Sequence, residues 1–191
     1  MINTSKKTWT KQTTLKLVLS ALCLTLGYVL PFFTGQIQAI GQMLLPMHLP
    51  VMLCGLICGW KYGLSVGALL PITRSLIFGM PLLYPNAVAM SFELATYGLV
   101  IGLLYTLFQK KHIGVVYISL VSAMVAGRLV WGVAQIVLFA LAGNVFTWQV
   151  FVAGAISNAI PGMILQLILI PTLMFFFEKA HLLPLQKSSE V

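Results

Sequence analysis

Apolar residues fall into six runs divided by short polar or Pro/Gly-rich breaks, at residues 14–33, 46–59, 62–79, 85–109, 112–142 and 148–177. A helix that crosses a bilayer needs about 20 such residues, within a range of roughly 17 to 25. The pattern therefore predicts an all-α fold, a bundle of six transmembrane helices. Pro50 and Pro71 interrupt the second and third runs, which are the shortest. The expected organisation is a basic cytoplasmic N-terminal segment at residues 1–13, a membrane domain at 14–177 and a cytoplasmic tail at 178–191.

Composition agrees with the pattern. The 191 residues are 60% hydrophobic and 7% charged, and none is Asp, which excludes a water-soluble domain of ordinary make-up. A net charge of +8 would suggest nucleic acid if it covered one soluble face, but here it is scattered over connectors. The partner is the lipid bilayer, with no nucleic acid. The first run ends in Leu30-Pro31-Phe32-Phe33 and not in a small-residue cleavage site, so the N-terminus is expected to be retained. Basic residues occupy alternate connectors: Lys6, Lys7, Lys11 and Lys16, then Lys61, then Lys110 and Lys111, then Lys179 and Lys187. The intervening connectors hold none. Cytoplasmic loops concentrate Lys and Arg, so both termini are expected on the cytoplasmic side.

Three charged residues lie within apolar runs: Arg74, Glu93 and Arg128. Each costs about 2.5–3.5 kcal/mol at the centre of a lipid-facing helix on insertion scales, so each must face the bundle interior or water. A rise of about 1.5 Å per residue puts Arg74 roughly 18 Å from Lys61, Glu93 about 12 Å below Pro85 and Arg128 about 24 Å from His112. All three depths fall in the outer half of a core about 30 Å thick. Polar neighbours join them. Trp131 and Gln135 share a face with Arg128, Tyr97 lies one turn from Glu93, and Asn158 on the sixth run reaches a similar depth beside Ser157. The group has the make-up of a small-molecule pocket. A buried Arg–Glu pair also serves simply to hold a bundle together. Two arginines against one glutamate, however, leave a guanidinium whose planar fork suits a carboxylate, which favours an anionic guest. His48, at the outer start of the second run, is placed to help attract an anion, although an interfacial histidine is more often simply solvated.

Several chemistries are absent from the sequence. There is no Gly-x-x-x-x-Gly-Lys-Ser/Thr loop, no His-Glu-x-x-His helix and no Gly-x-Ser-x-Gly elbow, which removes P-loop ATP hydrolysis and the usual membrane hydrolases. No catalytic residue, cofactor or metal site is expected. Cys54 and Cys58 stand at i,i+4 without a nearby His or carboxylate and read as small packing residues. Glu93 alone is a thin basis for a proton-coupled carrier, so a secondary transporter or membrane enzyme is the weaker alternative. Small residues recur at Ser20, Ala21 and Thr25 and at Gly55, Gly59, Gly63 and Gly67. They suit either packing within the bundle or docking of another membrane protein.

Four stretches carry a family likeness: Leu45-Pro46-Met47-His48-Leu49-Pro50-Val51, Gly55-Leu56-Ile57-Cys58-Gly59-Trp60-Lys61-Tyr62-Gly63, Leu70-Pro71-Ile72-Thr73-Arg74-Ser75-Leu76 and Phe92-Glu93-Leu94-Ala95-Thr96-Tyr97-Gly98. Over about residues 15–177 the chain resembles the substrate-binding S component of energy-coupling factor vitamin transporters, nearest to pantothenate-type members. The resemblance implies a multi-pass protein of a bacterial plasma membrane that captures a vitamin and is not itself an enzyme. It implies partners too, a membrane scaffold subunit and two ATPases. Docking in that family uses a small-xxx-small pattern on the first helix, here Ala21-xxx-Thr25 in place of the usual Ala-xxx-Ala. The implied site assigns a carboxylate to Arg128, hydroxyl and amide groups to Gln135 and Asn158, and a pocket wall to Trp131. Glu93 is expected to pair with Arg74 or turn to a ligand hydroxyl, with Tyr97 alongside. Riboflavin and pyridoxine remain alternative guests, whereas cationic thiamine fits poorly.

Overall fold

The computed structural model describes residues 3–33, 44–108, 112–143 and 159–180, and no strand occurs among them. Six α-helices follow in order: α1 (Asn3–Phe33), α2 (His48–Cys58), α3 (Trp60–Phe78), α4 (Val88–Leu107), α5 (Ile113–Leu141) and α6 (Ile160–Lys179). A kinked turn, Leu83–Ala87, in which Tyr84 is extended, leads into α4.

The helix ends follow the chemistry of the breaks. α1 starts well before the apolar run, its backbone helical from Asn3 although residues 3–13 are rich in Thr, a weak helix former. Pro50 sits in the first turn of α2, where its missing N–H costs nothing. α3 runs on through Pro71. Gly59 alone separates α2 from α3, at φ 98°, a conformation that a side chain resists, and its N–H bonds to the Gly55 carbonyl.

Among the described residues, four helices are long and apolar enough to cross a membrane: Gln12–Phe33, Leu83–Leu107, Ile113–Leu141 and Ile160–Lys179. Of the six expected spans, the described residues show six helices, four of which have spanning length and composition. α2, with 11 residues, extends only about 16 Å. α3 carries Lys61 and Arg74 within its 19 residues. Much of the outward surface is apolar, including Leu17, Leu129 and Ile168, as a lipid-facing bundle requires.

The centre of the bundle is a glycine crossing of α2, α3 and α4. A Cβ added at Gly98 would lie 2.2 Å from the backbone of Gly63, and one at Gly63 would lie 2.7 Å from the Gly55 Cα. One at Gly67 would strike the Leu94 carbonyl at 2.3 Å. Gly55, Gly63 and Gly67 therefore serve contacts within the bundle, and their docking alternative falls away. α1 packs on this centre through Ser20, Cys23 and Gly27, with Cys54 Sγ 3.6 Å from Ser20 Oγ and Gly27 against Leu70. Ala21 and Thr25 lie on the exposed side of α1, where the Thr25 hydroxyl donates to the Ala21 carbonyl at 2.9 Å.

α1 and α3 run in the same direction, since Gly27 meets Leu70 and Tyr28 meets Thr73. Carried inward, that register sets Lys16 level with Lys61. Tyr105, His112 and Glu178 line one small cleft, and Trp60 abuts Gly102, so these residues share one end of the bundle with Lys61 and Lys179. Lys6, Lys7 and Lys11 belong to α1 by their backbone. Lys110, Lys111, Lys187 and the segment at residues 34–43 lie outside the described residues.

Candidate functional site

Glu93 is the hub. It lies on α4 and is 1% exposed. Arg128 Nη1 of α5 sits 3.0 Å from its Oε1, and the Tyr97 hydroxyl, one turn along α4, donates to the same oxygen at 2.8 Å. His48 of α2 completes the group, with Nε2 3.5 Å from Oε1 and its ring 5.2 Å from that of Tyr97. Local sequence makes this possible. Glu93 and Tyr97 stand four residues apart on one helix face. Gly127, immediately before Arg128, leaves room for the Tyr97 ring, because a Cβ there would lie 2.2 Å from Cε1.

The expected pairing of Glu93 with Arg74 is corrected. Arg74 donates through Nη1 to the Tyr28 carbonyl at 2.7 Å, and its guanidinium lies 5.2 Å from the ring centres of both Phe32 and Phe78. The physical reason is register. Gly67 is level with Leu94, so Arg74 stands about 9 Å further along the α3 axis than Glu93. Arg74 therefore ties α1 to α3 and is not at the hub. The acid and the two arginines do not share a single height.

His48 is also corrected: it is not solvated but 1% exposed, against the buried acid. Its position at the Pro-flanked outer end of the second run hid this, since a polar residue at the edge of a run reads as interfacial. Trp131 and Gln135 lie one and two turns beyond Arg128 on α5, Trp131 half-buried and Gln135 buried. Asn158 lies outside the described residues.

The guanidinium of Arg128 is used on one nitrogen only. Among the described residues its Nε and Nη2 are buried without a hydrogen-bond partner, as are the Gln135 Oε1 and the Gln166 Nε2. Nε and Nη2 form the side-on edge of the guanidinium, two parallel donors at the spacing of a carboxylate. Gln166, 1% exposed on α6, is a polar residue that the sequence reading missed. Its cue was an amide within an otherwise aliphatic run.

The bundle thus holds a buried ion pair with polar atoms beside it that are unpartnered among the described residues. The chain matches the family described as ECF transporter, substrate-specific component, over residues 15–174. It belongs to that family, whose members are transporter subunits and not enzymes. Comparisons with curated proteins and with solved structures returned no match.

Proposed function

We propose that this chain captures a water-soluble vitamin, pantothenate foremost, at the hub of α2, α4 and α5, and delivers it to ATP-driven partners. The observation that carries the reading is the free side-on edge of Arg128. Glu93 holds Nη1 and fixes the plane of the guanidinium, so Nε and Nη2 face a carboxylate as a preformed fork. Gln135 lies about 10 Å further along α5, a separation suited to the hydroxyl end of extended pantothenate. Trp131 walls the space between, Tyr97 steadies the acid, and Asn158 is assigned to the amide. Arg74, held elsewhere, is left out.

All six helices cross the membrane in this reading. The end carrying Lys16, Lys61 and Lys179 faces the cytoplasm of a bacterium, with both termini on that side. Ala21 and Thr25, exposed on α1, form the contact for the membrane scaffold, and two ATPases supply the energy. Riboflavin and pyridoxine are the runner-up guests.

The decisive variant is Arg128→Lys. Removal of the charge would strand Glu93 in the bundle, whereas lysine keeps a cation beside the acid and removes only the fork. Purified Arg128→Lys should remain monodisperse and lose pantothenate affinity by about tenfold or more, as expected for a lost charge-assisted hydrogen bond. Unchanged affinity would take Arg128 out of the site. Mass spectrometry of the molecule released from wild-type protein identifies the guest directly, and release of riboflavin or pyridoxine would replace pantothenate.

A further inference from the structure

The geometry points to Gln166 as a ligand-reading residue on α6, a second polar wall that donates a hydrogen bond to a carbonyl or hydroxyl oxygen of the guest. The inference rests on the proposed capture of a small molecule at the Glu93–Arg128 hub.

Its level follows from the inner end of the bundle. Tyr105 of α4, Val116 of α5 and Met174 of α6 line one cleft there. α5 runs opposite to α4 and α6, so eight residues outward, about 12 Å, lead to Tyr97, Met124 and Gln166. Gln166 is thus level with Tyr97 and one turn inside Arg128. The buried residues of α6 are Gly162, Gln166, Ile170, Pro171 and Met174, a stripe at helical spacing that faces the bundle. The amide consequently points inward, not to lipid.

A purely structural role does not account for it. Among the described residues Nε2 is buried without a partner, and a buried amide that lacks its hydrogen bond bears the full loss of hydration. Met or Leu would fill the same position with no such loss. An uncompensated donor that faces the bundle at the level of the hub is accounted for when its partner arrives with the ligand. The hub then offers donors at Arg128 and Gln166 and an acceptor at Gln135 Oε1, which selects a guest with a carboxylate or similar acceptor near its centre and polar groups on both sides.

The test compares Gln166→Met with wild type in detergent, by equilibrium binding of pantothenate, riboflavin and pyridoxine and by thermal midpoint. The expected result is at least about tenfold weaker binding of whichever probe wild type binds, with an unchanged or raised midpoint. Equal affinity in the two proteins overturns the inference and leaves the capture reading standing. A lowered midpoint with equal affinity overturns it too and assigns Gln166 to packing. Wild-type protein that binds none of the three probes and releases no small molecule overturns both. Gln166→Glu provides a second variant: it keeps the shape and removes the donor in its ionised form, and it should also weaken binding.

Discussion

Gly98→Ala tests whether the glycine crossing sets the spacing of α3 and α4. The new Cβ would lie 2.2 Å from the backbone carbonyl group of Gly63, where ordinary contact begins at 3.4 Å. Backbone cannot swing aside as a side chain can, so the helices must separate locally by about 1.2 Å, the difference between those distances. A gap of 0.5–1 Å already forfeits about a quarter to a half of each dispersion contact it opens. Overpacking of this kind costs about 1–3 kcal/mol, and backbone against backbone belongs at the upper end. In detergent the thermal midpoint should therefore fall by about 5 °C or more. Gly114→Ala is the control. Its Cβ would meet only the His112 ring at 3.1 Å, so it should leave the midpoint unchanged or slightly raised. If Gly98→Ala melted with Gly114→Ala, α3 and α4 would not be in backbone contact and the argument for internal glycine packing would fail.

Two further substitutions separate the charged groups. Glu93→Gln removes the counter-ion of Arg128 and should lower stability by about 3–5 kcal/mol, read as a shortened half-life in detergent; a variant as long-lived as wild type would mean that the pair contributes nothing to the fold. Arg74→Gln loses a charged hydrogen bond and two cation–π contacts, together about 2–4 kcal/mol. It should leave ligand affinity within about twofold of wild type, because it shares no partner with the hub, and a large affinity loss would return Arg74 to the site.

How far the chain discloses itself depends on dimension. Depth along each helix was legible: runs read at residues 46–59, 62–79 and 112–142 became α2, α3 and α5 with ends displaced by no more than two residues. Facing was legible only within one helix. Glu93 with Tyr97 at i+4 was visible and became a hydrogen bond. Which helix a charge would meet was not visible, because azimuth is set by packing. The glycines of α2 and α3 drew α4 close, and Gly127 seated Tyr97 against α5, so Glu93 met Arg128 while α1 claimed Arg74. His48 went unseen for the same reason, since nothing at the Pro-flanked start of the second run reveals that it turns inward.

The salt bridge to Glu93 has a consequence for the thermodynamics of capture. A long, flexible cationic side chain surrenders about 2 kcal/mol of rotamer freedom when it is immobilised. Here that cost falls on folding, before any solute arrives, because one nitrogen of Arg128 is already anchored. On the proposed reading of the site, the incoming molecule would find that part of the receptor's conformational entropy already spent, leaving more of its contact energy to register as affinity.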